Sequence, residues 1–127
     1  MSQQIPNVNG IVIMPAFNEQ RDISAVVRAV RRVSCLDILV VDDCSTDKTV
    51  DEARAAGGLV MSLSQNLGAW GAIQTGLRYA CQKNYDFAMT MDADGQHEPA
   101  WINELFAPVV ANQAAVFHAT DAPDNLI

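Results

Sequence analysis

Three oxygen-bearing side chains spaced two residues apart close an apolar run: Phe87-Ala88-Met89-Thr90-Met91 leads straight into Asp92-Ala93-Asp94-Gly95-Gln96-His97. Residues two apart in an extended backbone point the same way, so Asp92, Asp94 and Gln96 can present their oxygens on one side. Hard divalent cations favour such donors, and Mg²⁺ is commonly held by one or two carboxylates together with a substrate phosphate. The competing reading is an acidic surface turn, because Asp-Ala-Asp-Gly is good turn chemistry. Spacing alone leaves the two level.

Eight basic residues against fifteen acidic ones give a net charge of -7. No basic stripe is evident, so a nucleic-acid backbone is not expected as a partner. An acidic protein that handles phosphates needs a cation to do so. Half of the 127 residues are hydrophobic and 18% are charged, the composition of a globular chain. No repeat, low-complexity tract or linker interrupts it, and a single domain over residues 1–127 is expected. Cys35, Cys44 and Cys81 are odd in number and lack metal-ligand spacing, which points to thiols in a reducing cytoplasm. The start of the chain lacks a signal-peptide pattern, and no apolar run approaches the ~20 residues of a transmembrane segment.

The elements that would position the acidic cluster follow from periodicity. Ile11-Val12-Ile13-Met14 is a β-branched run suited to a strand covered on both faces, and Pro15 ends it. Ile23, Val26, Val27, Val30 and Val33 then recur at helical spacing, with Arg28, Arg31 and Arg32 opposite. Ile38 to Val41 is a second strand, closed by Asp42-Asp43-Cys44-Ser45-Thr46-Asp47. Asp47 or Ser45 suits the N-cap of a helix through Ala56, and Gly57-Gly58 suits its stop. Leu59 to Met61 gives a third strand. After Gln65-Asn66-Leu67-Gly68, a helix with Ile73, Leu77, Ala80 and Cys81 on one face runs to about Lys83. Phe87 to Met91 is the fourth strand. Pro99 suits the first turn of a further helix carrying Ile102, Leu105, Phe106, Val109 and Val110, and Ala115 to His118 is a candidate fifth strand.

This alternation implies an α/β fold with a mainly parallel sheet and helices on both faces. Such sheets bind ligands outside the carboxyl ends of their strands, where strand order reverses. The polar residues obey that rule: Asn18 and Glu19, Asp42 and Asp43, Gln65 and Asn66, then Asp92, Asp94 and Gln96 each follow a strand. Four ends converging on one rim weigh for a site over a surface turn. Asn66, Gly68, Gly71 and Gly76 would let backbone approach a ligand and open a helix whose first N–H groups face an anion. They would equally serve tight packing of helix on sheet. Phe17 and Trp70 suit either stacking on a base or sugar, or an ordinary place in the core. His97 reads as a supporting residue beside three oxygen donors. Neither His97 nor His118 has a nucleophile with which to form a triad.

Four motifs then carry a resemblance. Val12 to Glu19, Val40 to Asp47, Asn66-Leu67-Gly68 through Gln74-Thr75-Gly76, and Met91 to His97 together resemble family 2 glycosyltransferases of the GT-A fold. Within that family the chain is most similar to the dolichyl-phosphate mannose synthase and polyprenyl-phosphate glycosyltransferase group, over roughly residues 9 to 112. The resemblance implies a Rossmann-like, nucleotide-sugar-binding half of a GT-A enzyme. Its donor would be a UDP- or GDP-sugar, and its metal Mg²⁺ or Mn²⁺. Pro15, Phe17 and Glu19 would border the nucleoside, Phe17 standing where tyrosine is more usual. Val41, Asp42 and Asp43 would lie at the base, with Asn66 and Gly68 also on the donor. Asp92-Ala93-Asp94 would be the DxD element. Asp94 and Gln96 would bind metal directly, and Asp92 would serve the ribose or the metal shell.

Inverting transfer to an acceptor, a polyprenyl phosphate or a glycan, would need a carboxylate base. The resemblance leaves that base unassigned, since Glu104, Asp121 and Asp124 match no motif of the family. Family members continue about a hundred residues further, comparable with an added domain, so the acceptor half is expected to be absent and transfer impaired. The protein would be cytoplasmic, or peripheral to a membrane, and a homo-oligomer stays open. Two other classes compete. One is a non-catalytic GT-A-like binding or assembly module. The other is a receiver-like signalling domain with Asp42 and Asp43 on Mg²⁺, against which stand the preceding strand and helix and the lack of a lysine after Lys83.

Overall fold

Ile11, Val12, Ile13 and Met14 are all fully buried, which a strand achieves only with a layer against each face. The computed structural model describes residues 9–94 and supplies both layers. The elements are β1 (Gly10–Ala16), α1 (Ile23–Val33), β2 (Asp37–Asp42), α2 (Thr49–Ala55), β3 (Leu59–Ser62), α3 (Gly68–Gln82) and β4 (Phe87–Thr90). Val12, Met14, Ile38 and Val40 pack with Val26, Val27 and Val30 of α1 and Ala53 of α2. The alternate residues Ile11, Ile13, Leu39 and Val41 pack with Ala72, Leu77 and Ala80 of α3. Period-two alternation is thus present inside runs that are apolar throughout.

All pairings are parallel, in the order β3-β2-β1-β4. The chain steps outward from β1 to β3 and then crosses back, by way of α3, to lay β4 on the other side of β1. Strand order therefore reverses between β1 and β4. Met91 N–H still donates to the Ile13 carbonyl at 3.0 Å, one residue beyond β4, so the expected strand through Met91 is one residue longer than the observed one.

Local chemistry sets the helix ends. Asp47 Oδ1 accepts the Thr49 N–H at 2.9 Å at the start of α2, although Asp47 lies one residue before the cap position. At its end Gly57 N–H donates to the Arg54 carbonyl and Gly58 N–H to the Ala53 carbonyl, both at 3.0 Å. This is the paired closure of a Schellman motif, and it stops the helix at the two glycines as expected. In α3, Gly76 faces β1 so closely that a Cβ there would meet Ile13 Cγ2 at 2.4 Å. Packing, rather than approach to a ligand, accounts for that glycine.

As the periodicity implied, Arg28, Arg31 and Arg32 lie on α1, which carries no acid, and Arg21 sits in the turn before it; Lys48, Arg54, Arg78 and Lys83 are spread over the rest of the fold. The total of -7 hides this segregation. None of Cys35, Cys44 and Cys81 is in a disulfide. Among the described residues no helix is long and apolar enough to cross a membrane. Gly95, Gln96, His97, the helix expected after Pro99 and the strand expected at Ala115 to His118 lie outside the described residues.

Candidate functional site

At the carboxyl ends of β1, β2 and β4 the chain encloses a cavity of about 270 Å³, lined by Pro15, Ala16, Phe17, Glu19, Asp43, Ala69, Asp92, Ala93 and Asp94. It sits where strand order reverses, the position that open parallel sheets use for ligands. Seven of the residues singled out from sequence meet there: Pro15, Phe17, Glu19, Asp43, Asp92, Ala93 and Asp94.

The first wall is set by a reciprocal tie between the loops after β1 and β2. Asn18 takes a left-handed φ of 52°, uncommon for a side chain but tolerated by asparagine. Its N–H donates to Ser45 Oγ at 2.8 Å, and its Oδ1 accepts the Thr46 N–H at 2.8 Å. Glu19 N–H donates to Thr49 Oγ1 at 2.8 Å, Gln20 N–H to Asp47 Oδ2 at 3.3 Å, and Lys48 N–H returns a bond to Gln20 Oε1 at 3.1 Å. These bonds fix the backbone on both sides of Glu19. Asn18 is consumed in the tie, and its role is to position Phe17 and Glu19.

The second wall rests on Asp43. Only 3% exposed, it accepts the Leu67 N–H at 2.7 Å through Oδ1 and the Gly68 N–H at 2.9 Å through Oδ2. Asn66 Nδ2 donates to the Asp43 carbonyl at 3.3 Å. The anion that the start of α3 faces is therefore Asp43 itself. Gly68 has φ +83° with open space around it, so it serves the backbone turn that aims these two donors. Asn66 and Gly68 thus hold the wall from behind and do not line the cavity.

Asp42 and Val41 are also set back. Val41 is fully buried against α3. Asp42 is 3% exposed, and its Oδ2 accepts the Ser45 N–H at 3.3 Å while its Oδ1 has no hydrogen-bond partner among the described residues. Two lining residues, Ala16 and Ala69, escape a sequence reading because a methyl group carries no chemical signal. Phe17 is 47% exposed and Trp70 63%, so neither is a core residue and both remain available for stacking.

The cavity is acidic. Burial raises the Glu19 carboxyl above its ordinary value, and the charges of Asp94, Asp22, Asp47 and Asp92 raise it further. A cation beside Asp92 and Asp94 would relieve that potential. Among the described residues no three carboxylates, cysteines or histidines group closely enough to form a metal cage. Two carboxylates together with a substrate phosphate suit Mg²⁺ or Mn²⁺, which keep part of their shell for water and substrate. Gln96, the third expected ligand, lies outside the described residues.

Residues 11–124 match the model of the family described as glycosyl transferase family 2. Among curated proteins, the chain is 32% identical over 116 residues to the UDP-N-acetylglucosamine–dolichyl-phosphate N-acetylglucosaminyltransferase of Methanococcus voltae, covering 78% of this chain and 46% of that one. It is 34% identical over 105 residues to the undecaprenyl-phosphate mannosyltransferase of Micrococcus luteus, covering 78% and 43%. The chain thus spans a little under half the length of these relatives. Among solved structures, the glucosyl-3-phosphoglycerate synthase of Mycobacterium tuberculosis, crystallised with Mn²⁺ and UDP-glucose, superposes with a TM-score of 0.66 at 24% identity over 84% of this chain and 41% of that one. That likeness shows the fold, the GT-A arrangement.

Proposed function

The chain belongs to glycosyltransferase family 2, and from that membership we propose that its described residues form the donor-binding half of a metal-dependent, inverting glycosyltransferase. The donor is a UDP- or GDP-sugar. Its nucleoside lies against Pro15, Phe17 and Glu19, with the Phe17 ring stacking on it and Asp43 closing the far wall. Its diphosphate points to Asp92 and Asp94, which with Gln96 hold the cation. When bound, a divalent ion supplies Lewis-acid stabilisation of the charge that grows on the leaving diphosphate. The acceptor is a lipid phosphate of the polyprenyl class, the chemistry named for both curated relatives. The two relatives are named for different sugars, so the sugar is left open. The base that deprotonates the acceptor belongs to the acceptor half.

One observation carries this reading: a single cavity joins an exposed aromatic ring at the end of β1 to the Asp92 and Asp94 pair at the end of β4. The test is calorimetric titration of UDP- and GDP-sugars into the chain with Mn²⁺, Mg²⁺ or EDTA, alongside Asp94→Ala. Binding that needs the metal and is lost in the variant is the expected result. A folded chain that binds no donor under any of these conditions would overturn the proposal and leave a GT-A-like assembly module in its place.

A further inference from the structure

Charge in this chain is sorted by position. Glu19, Asp42, Asp43, Asp47, Asp92 and Asp94 crowd the carboxyl rim of the sheet, whereas α1 has three arginines and no acid. Arg31 is partly committed to the fold, since its Nη1 donates to the Gly57 carbonyl at 3.4 Å. Arg28 and Arg32 are four residues apart and so lie one above the other on the exposed side of α1, with Ala25 between them and the turn that carries Arg21. All of these are exposed, and Arg21, Arg28 and Arg32 make no ion pair among the described residues. A solvated helix face in an acidic protein ordinarily mixes signs, because like charges repel. Here none is mixed.

We propose that this arginine stripe binds an anionic lipid surface. The stripe follows the axis of α1 for about 16 Å, a length suited to several headgroups and not to one small anion. Its upper end, Arg21, is two residues from Glu19 in the cavity wall. A headgroup plane lying along α1 therefore passes beside the cavity mouth, where a lipid-borne acceptor must arrive. Guanidinium groups suit this task because they bind phosphate bidentately and keep their charge at any physiological pH. The choice of lipid over another polyanion rests on the polyprenyl-phosphate reading above, but vesicle binding and donor binding fail independently of each other.

The test is co-flotation of the full chain with vesicles of phosphatidylcholine alone, or of phosphatidylcholine with about one third phosphatidylglycerol, at low and high salt. Binding is expected to the anionic vesicles only, and to fade with salt. Each arginine near such a surface favours binding by about fivefold, so a triple variant, Arg21→Gln with Arg28→Gln and Arg32→Gln, should bind on the order of a hundredfold more weakly while its donor titration is unchanged. Arg78→Gln, an exposed arginine of α3, should change nothing beyond about twofold. Failure of the chain to float with anionic vesicles would overturn the proposal and turn attention to an acidic protein partner. So would a triple variant that floats like the parent, or an Arg78→Gln loss that matches the triple.

Discussion

Replacing Asp43 should damage the fold before it damages ligand binding. Its carboxylate is buried and answers two backbone donors, Leu67 N–H at 2.7 Å and Gly68 N–H at 2.9 Å, that would otherwise be orphaned at the start of α3. A hydrogen bond to a charged group contributes about 1.5–3 kcal/mol. Leu67 and Gly68 are exposed, so water can replace part of the loss. The lower end of that range, summed over two bonds, gives about 3 kcal/mol for Asp43→Ala. Asp43→Asn keeps one acceptor oxygen but turns an amide against the second donor, and about 1–2 kcal/mol is expected. Urea unfolding followed by far-ultraviolet circular dichroism measures both, and amide exchange over the first turn of α3 should speed up in step. The contrast is Asp92→Asn, an exposed carboxylate on the opposite wall, which should abolish donor binding while shifting stability by less than about 0.5 kcal/mol. If Asp43→Ala also stays within about 0.5 kcal/mol of the parent, the capping argument is refuted.

Two further outcomes follow from the geometry. The folded state holds the Glu19 proton more tightly than the unfolded chain does, because burial and then Asp94 raise its pKa above 4.5. The stability this contributes is complete below that value and is lost as pH rises through the folded pKa. Glu19→Gln should lack this decline, and Mg²⁺ should lower the Glu19 midpoint in a carboxyl carbon NMR titration; a midpoint at or below 4.5 in the metal-free chain would contradict the reasoning. Gly76→Ala should cost about 1–3 kcal/mol, since its methyl meets Ile13 Cγ2 at 2.4 Å inside a packed layer. Thermal unfolding reads this directly, and Ile13→Ala, which removes Cγ2, should cost less in the Gly76→Ala background than in the parent.

Much of this was legible because each signal was redundant. The strands announce themselves as short apolar runs, and a parallel sheet then dictates which ends face a ligand. Pro15 does not stop the first of them, because β1 runs through it to Ala16, with Pro15 beside Val41 and Ala16 beside Asp42. Division of labour at the rim was not legible, because it depends on which face each side chain takes. Leu39, Val41 and Asp43 share the α3 face of the second strand and its extension, while Asp42 turns to the other. Two adjacent aspartates thus look alike in sequence and differ in task. Asn18 reads as a ligand by position, yet its left-handed turn and its bonds to Ser45 and Thr46 are spent on joining two loops. Gly76 carried a usable clue: eight residues past Gly68 it is about 12 Å along the helix axis, too far from the first turn to serve the same ligand.

The capping role of Asp43 also bears on how a diphosphate could be held. A helix start ordinarily offers an anion free N–H groups and the positive end of its dipole. Here the cap has taken the Leu67 and Gly68 donors, and Glu19, Asp43, Asp92 and Asp94 line the cavity with no basic side chain among the described lining residues. A phosphate about 4 Å from one carboxylate meets a repulsion of roughly 4 kcal/mol at an effective dielectric of 20. Asp92 and Asp94 both stand where the diphosphate is proposed to lie, and Glu19 and Asp43 add further negative charge to the same cavity. On the proposed reading the cation is therefore a condition of donor binding as well as of chemistry. Coupling between two ligands is reciprocal, so the chain should hold Mg²⁺ or Mn²⁺ weakly until a nucleotide arrives. A lysine or arginine introduced at Ala69, beside the same cavity, should loosen that dependence by supplying some of the missing positive charge.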